Sequence, residues 1–183
     1  NASYAYDNRY DFTGSIRIDQ SNLFGTDPKY QYRPLWSLGA SWHLSNEHFM
    51  AGRADWLNNL TLRLTYGIGG NVPKNGGPFL TIREAAYTDW SKDFFAEIKN
   101  PPNKSLRWEK TATLNVGVDF AVLNNRLWGS LEFYNKNTTD LLAYRTSDYT
   151  LGWEKVLLNY GSMYNRGVEL ALGSTNVVTP NFK

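Results

Sequence analysis

The chain contains no cysteine, which removes disulfide frameworks, thiolate metal sites and cysteine nucleophiles from consideration. Histidine is nearly absent too, with only His43 and His48. His43 falls on the polar side of an alternating run and has no third ligand spaced nearby, so no metal site is expected. No apolar run approaches the ~20 residues of a membrane-crossing helix, and the first residues carry no signal segment. Charge of one sign is equally scarce: 19 Lys and Arg stand against 17 Asp and Glu, a net of +2, with the signs intermixed. A phosphate backbone needs a concentrated basic face, so no nucleic-acid partner is expected. The glycines at 69–70 and 76–77 are not followed by the Gly-Lys-Ser/Thr of a phosphate cradle and read as turns. Glu84, Asp89, Asp93 and Glu97 lack a scaffold that would fix the carboxylate separation needed for glycoside hydrolysis. No nucleophile–base pair emerges, so neither catalysis nor a cofactor is expected.

What the sequence has instead is alternation. From Trp108 to Val122 the even positions read Trp108, Lys110, Ala112, Leu114, Val116, Val118, Phe120 and Val122. The odd positions read Glu109, Thr111, Thr113, Asn115, Gly117 and Asp119. A period of two sustained over some fifteen residues suits an extended strand with two unlike faces. After a turn at Leu123-Asn124-Asn125 the pattern resumes, with Leu127, Gly129, Leu131 and Phe133 opposite Arg126, Trp128, Ser130, Glu132 and Tyr134. Strands of soluble domains usually run about five or six residues. Arms roughly twice that length suit a sheet crossing a layer about 25–30 Å thick.

The same signature recurs along the chain. Residues 1–6 and 10–19 form a hairpin about Asp7-Asn8, and 35–44, 60–66 and 163–172 alternate likewise. Residues 20–33 read as a loop, 45–59 as an irregular link with room for one helical turn, and 67–105 as the longest stretch without strand periodicity. Residues 141–159 read as another long connection. Short and long connections therefore alternate, as they do between the two ends of an outer-membrane barrel. The register puts Arg17, Arg63, Glu109, Asp119, Arg126 and Glu132 on a lumen face. It puts Phe12, Ile16, Ile18, Leu38, Leu62, Leu64, Leu114, Val116, Val118, Leu131, Leu170 and Leu172 on a lipid face. Twelve Tyr, nine Phe and seven Trp fit interfacial girdles. They also fit a secreted all-β carbohydrate-binding module with an aromatic platform, which would be soluble without detergent. Among loop residues, Tyr87, Trp90, Phe94, Tyr149 and Trp153 are candidates to stack on substrate or dock a partner.

Several ordered segments carry a resemblance. Residues 9–17 (Arg9-Tyr10-Asp11-Phe12-Thr13-Gly14-Ser15-Ile16-Arg17), Trp36-Ser37-Leu38-Gly39-Ala40-Ser41-Trp42 and Leu62-Arg63-Leu64-Thr65-Tyr66-Gly67 come first. Trp108-Glu109-Lys110-Thr111, Thr139-Asp140-Leu141-Leu142, Asn159-Tyr160-Gly161 and Asn165-Arg166-Gly167-Val168-Glu169-Leu170 follow. Over essentially its whole length the chain resembles the barrel portion of SusC/RagA-type TonB-dependent transporters of Bacteroidetes. The resemblance implies an all-β, antiparallel transmembrane barrel segment, with residues 1–183 as one part of a 22-stranded wall. The plug domain and remaining strands would lie outside this chain. It further implies a multi-pass location in the bacterial outer membrane and uptake of oligosaccharide or peptide. A SusD-like surface lipoprotein would be the partner, and energy would arrive from TonB through the missing N-terminal part. The chain would be a fragment, since open strand edges are not left within a bilayer.

Overall fold

A computed structural model describes residues 1–20, 32–52, 55–71 and 77–176. Most of the link expected at 20–33, with its Gly25 and Pro28, lies outside the described residues, as do Pro73 and Gly76. Among the described residues nine strands run in chain order: β1 (Ala2–Tyr6), β2 (Tyr10–Gln20), β3 (Tyr32–His43), β4 (Leu57–Asn71), β5 (Thr81–Thr88), β6 (Asp93–Asn100), β7 (Glu109–Val122), β8 (Leu127–Thr146) and β9 (Lys155–Ser174). The only described helical pieces are two 3-10 turns, Leu44–Asn46 and Tyr149–Leu151. Seven strands form one antiparallel sheet in the order β1-β2-β3-β4-β7-β8-β9, and β5 and β6 form a separate hairpin. The turns at one end of the wall use a left-handed backbone, which Asp and Asn tolerate and which Leu123 is drawn into beside them. Asp7 and Asn8 have φ of 54° and 51°, and Leu123, Asn124 and Asn125 have 56°, 55° and 61°.

Pairing carries each face of the sequence pattern across the sheet. Tyr4, Phe12, Ala40, Leu64, Val116, Phe133 and Val168 lie in one cross-strand row. On the opposite face, Asp11, Ser41, Arg63, Gly117, Glu132 and Glu169 form another. A soluble domain of this length would bury the first face. Here Ile16 is 70 % exposed, Leu38 61 % and Leu170 63 %. This is far more open apolar surface than a solvent-facing monomer carries. The carbohydrate-binding sandwich required a second sheet over these side chains, yet Val116 at the centre of the face is 40 % exposed.

The apolar belt does not follow the rows; it cuts across them. On β2 it reaches Ile18, six residues beyond Phe12. On β8 and β9 it stops in Phe12's own row, at Phe133 and Val168, because the next residues on that face are Asn135 and Arg166. The upper edge thus falls by about 20 Å along the strands while crossing five strand spacings, about 24 Å. If the belt is level, the strands slant about 40° from its normal, within the tilt that closes a barrel.

Two expectations about connections are corrected. The stretch 67–105 was expected to lack strands, but β4 continues to Asn71 and β5–β6 occupy much of the rest. Of the glycines that read as turns, Gly69 and Gly70 lie inside β4; Gly70 is a close-approach position, where a Cβ would lie 3.1 Å from Leu35 Cδ2, whereas Gly77 has nothing within 4 Å. The hairpin escaped detection because its ladder slips at Thr81/Ile82 and again at Glu84/Tyr87, which scrambles the period of two. The second correction concerns 141–159. β8 and β9 run on through it as strands of 20 residues each, leaving only 147–154 as the connection.

A bulge explains that second difference. The β8–β9 register shifts between Thr138 and Leu142, and Asp140 sits at φ 60°. The bulge frees backbone groups that need new partners, and Asn159 supplies one. Its Nδ2 donates to the carbonyls of Asp140 and Arg107, both at 2.7 Å, and its Oδ1 accepts from the Arg107 N–H at 2.9 Å. Arg107 Nη2 also reaches Asp140 Oδ1 at 2.6 Å. Beside this knot Leu106, Trp108 and Leu157 form the buried apolar cluster, with Leu142 against it. Asn159→Ala is expected to cost about 1–2 kcal/mol through the orphaned backbone groups. Hydrogen exchange in the intact protein should show the loss of protection centred on 139–142.

Candidate functional site

Three constellations stand out from the wall. The first lies on the polar face and spans three strands. Arg63 on β4 forks onto Asp119 of β7, with Nε–Oδ2 2.5 Å and Nη2–Oδ1 2.9 Å, and Nη2 also donates to Glu132 Oε1 on β8 at 2.6 Å. Gly117 lies between Arg63 and Glu132 in their row, and a Cβ there would come within 3.2 Å of Arg63 Nη2. Its bareness lets the guanidinium lie flat across the sheet. Three of the residues expected on the lumen face therefore meet in one cluster. The other three stand apart. Glu109 bonds the Leu142 N–H at 3.1 Å and Asn71 Nδ2 at 3.1 Å. Arg17 pairs with Asp19 at 2.8 Å. Arg126 lies in the turn before β8, where its carbonyl accepts from Thr175 N at 2.8 Å.

The second constellation sits at the end with the long connections. Tyr87 and Phe94 face each other across β5–β6 with ring centroids 5.5 Å apart and planes at 68°. Trp90 at the hairpin tip is 96 % exposed. Asp148 accepts from Thr150 N at 3.0 Å and Oγ1 at 2.9 Å, so those bonds hold its carboxyl below the usual aspartate range. This fixes the 3-10 turn that presents the exposed Tyr149. Trp153 instead lines an open cleft of about 800 Å³ with Arg83, Glu97, Lys99, Tyr144 and Lys155. The five aromatic candidates do not converge: three share the hairpin, Tyr149 caps the connection and Trp153 enters the cleft. Tyr144, Arg83 and Lys99 went unnoticed in the sequence, and Tyr144 was hidden inside the stretch read as a connection.

The third constellation is at the opposite end. Glu47 follows the 3-10 turn Leu44–Asn46 and is buried. Its Oε1 accepts from Tyr10 OH at 2.6 Å and Trp42 Nε1 at 2.9 Å, and its Oε2 from Arg9 Nη1 at 3.3 Å. The Tyr10 and Trp42 bonds, then the Arg9 charge, hold its carboxyl below the ordinary glutamate value of 4.5. A depressed folded-state pKa gives stability that is present above the unfolded value and lost as pH falls through the folded one. Acidification below about 4.5 is therefore expected to release the indole, read as a shift in Trp42 emission. Glu47→Gln should flatten that shift.

Comparison with known proteins follows the same lines. The family described as TonB dependent receptor-like, beta-barrel matches residues 1–182. The chain is 35 % identical over 184 residues to TonB-dependent receptor P26 of Formosa agariphila, covering 98 % of the chain and 18 % of that relative. It is 31 % identical over 189 residues to TonB-dependent receptor SusC of Bacteroides thetaiotaomicron, again covering 98 % and 18 %. Among solved structures, the RagAB peptide importer in its closed-closed state superposes with a TM-score of 0.82 at 28 % identity, over 97 % of this chain and 19 % of that one. The siderophore receptor PirA of Pseudomonas aeruginosa shares the fold, with a TM-score of 0.60 at 14 % identity. The chain spans less than a fifth of the length of TonB-dependent receptor P26 and of SusC. By sequence match and by superposition alike, it belongs to the TonB-dependent receptors of SusC/RagA type and forms part of their β-barrel.

Proposed function

We propose that this chain is a wall segment of an outer-membrane importer for large nutrients, oligosaccharides or peptides. The observation that carries this reading is the two-faced, slanted sheet, apolar on one side and charged on the other. Its long connections gather at one end. In the intact protein the plug and the other strands of a 22-stranded barrel lie outside residues 1–183, and TonB acts through that missing part. A SusD-like surface lipoprotein closes over the long connections, a partner to which the likeness to SusC and RagAB lends support. The cluster of Arg63, Asp119 and Glu132, with Arg17 and Glu109, lines the lumen against the plug, and Arg126 marks its periplasmic rim.

The rim residues divide the remaining work. Trp153 and Tyr144, flanked by Arg83 and Lys99 in the 800 Å³ cleft, supply flat apolar faces and charged donors for cargo. The exposed Trp90 with Tyr87 and Phe94 suits a protein surface, where aromatic anchors dominate binding, and Tyr149 flanks it. Uptake of labelled oligosaccharides and peptides by cells carrying the intact protein tests the assignment. Trp153→Ala is expected to depress uptake of one cargo class with the lipoprotein still co-purifying. Trp90→Ala is expected to loosen the lipoprotein instead. Uptake that persists without TonB would sink the importer reading.

A further inference from the structure

One feature of the outward face is not accounted for by a uniform lipid belt. Ala40 is the small member of its row, between Phe12 on β2 and Leu64 on β4. The dip it leaves forms two adjoining hollows of about 390 and 270 Å³ that share Phe12, Ala40 and Leu64. Together they make a furrow along β3, from Trp42 and Leu62 at one end toward Leu38 and Tyr66 at the other. Its lower end is built rather than loose. Tyr10 and Trp42 stack with centroids 6.3 Å apart and planes at 15°, and buried Glu47 holds both polar tips. At the rim, Arg9 is ion-paired to both Asp7 and Glu47 and donates to His48 Nε2 at 3.0 Å. Among the described residues of this cluster, two carboxylates stand against one guanidinium, an excess of one negative charge. Short turns place this end at the periplasmic side.

We propose that the furrow seats one acyl chain of a zwitterionic, amine-bearing glycerophospholipid of the periplasmic leaflet, with its ammonium at the Asp7–Glu47 rim. The furrow continues the lipid-facing belt, which argues for a lipid occupant. Its floor at the small Ala40, between Phe12 and Leu64, and its stacked aromatic wall suit a single extended chain, and the charge at its mouth favours a cationic head group over an anionic one. The inference rests on the wall reading but not on any cargo.

The test uses the intact protein reconstituted in mixed phosphatidylethanolamine and phosphatidylglycerol vesicles, with bromine on the chains of one lipid at a time. Quenching of Trp42 is taken as the difference between the protein and its Trp42→Phe variant. Trp36, on the same face and further along β3, reports ordinary belt contact. The expected result is that brominated phosphatidylethanolamine quenches Trp42 more than Trp36, and more than brominated phosphatidylglycerol does. Ala40→Leu, which fills the furrow with lipid-compatible bulk, should reduce Trp42 quenching to the level of Trp36. Glu47→Gln should erase the preference between head groups while chain contact persists. Equal quenching of Trp42 and Trp36, or no change in Ala40→Leu, overturns the seat and leaves the wall standing. If neither tryptophan is quenched, both fall.

Discussion

Val116→Arg is expected to destabilise the intact barrel by about 2–4 kcal/mol, the cost of a cation on the lipid face near the bilayer midplane. Val116 stands in the row of Leu64 and Phe133, with apolar neighbours along β7 at Leu114 and Val118. Denaturant unfolding in lipid vesicles measures the loss, and Thr113→Arg on the polar face of the same strand is the control, expected to change little. The slant of the belt sharpens the experiment. Leu38 and Tyr66 share a row with Leu114, Asn135 and Arg166. A native arginine thus already sits level, along the hydrogen-bond ladder, with a leucine deep in the belt. Leu38→Arg should be nearly as costly as Val116→Arg, although Arg166 is tolerated four strands away, where its guanidinium lies over the Tyr164 ring at 5.5 Å. Depth in the membrane, not position in the ladder, should rank the costs. A Val116→Arg protein that unfolds with the parent's midpoint would show that this face does not meet lipid.

That ranking depends on knowing which residues share a face, and this much was legible in the sequence. A period of two survives wherever the ladder is regular, as along β7, where fourteen residues pair with β4 and thirteen with β8 without a slip except at Leu57 and Asn59. It fails where the backbone adds a residue. Asp140 in a left-handed conformation flips the faces of β8 midway, so Leu142 and Tyr144 fall out of phase with Leu131 and Phe133, and half of a long strand resembles a loop. Glycine misleads in a second way. At Gly70 it signals crowding by Leu35 rather than a turn, and nothing local distinguishes the two uses. The candidate site was legible only as residue types. Arg63, Asp119 and Glu132 were each assignable to the polar face, but their meeting depends on a register between strands separated by up to 69 positions. Periodicity gave no hint of the role of Glu47, because its partners Tyr10 and Trp42 are brought to it by the pairing of β2 with β3.

Arg63→Leu should produce the second large effect, about 2 kcal/mol of destabilisation. The arginine makes two bonds to Asp119 and one to Glu132, each charge-assisted and so stronger than a neutral bond. Removing it leaves two carboxylates diagonal to each other in neighbouring rows of one face, and the cost of unpaired charge exceeds the value of the lost bonds. All three side chains keep 27–35 % of their surface exposed, so water and salt screen part of that penalty and hold it below a fully buried case. Arg63→Lys should recover less than half, since an ammonium cannot fork onto Asp119 and reach Glu132 at once. The discriminating variant is the triple change Arg63→Leu, Asp119→Asn, Glu132→Gln. If unpaired charge dominates, it will unfold at a higher denaturant concentration than Arg63→Leu alone. If the three bonds themselves carry the stability, it will be no better, and the cluster acts as a clamp across β4, β7 and β8.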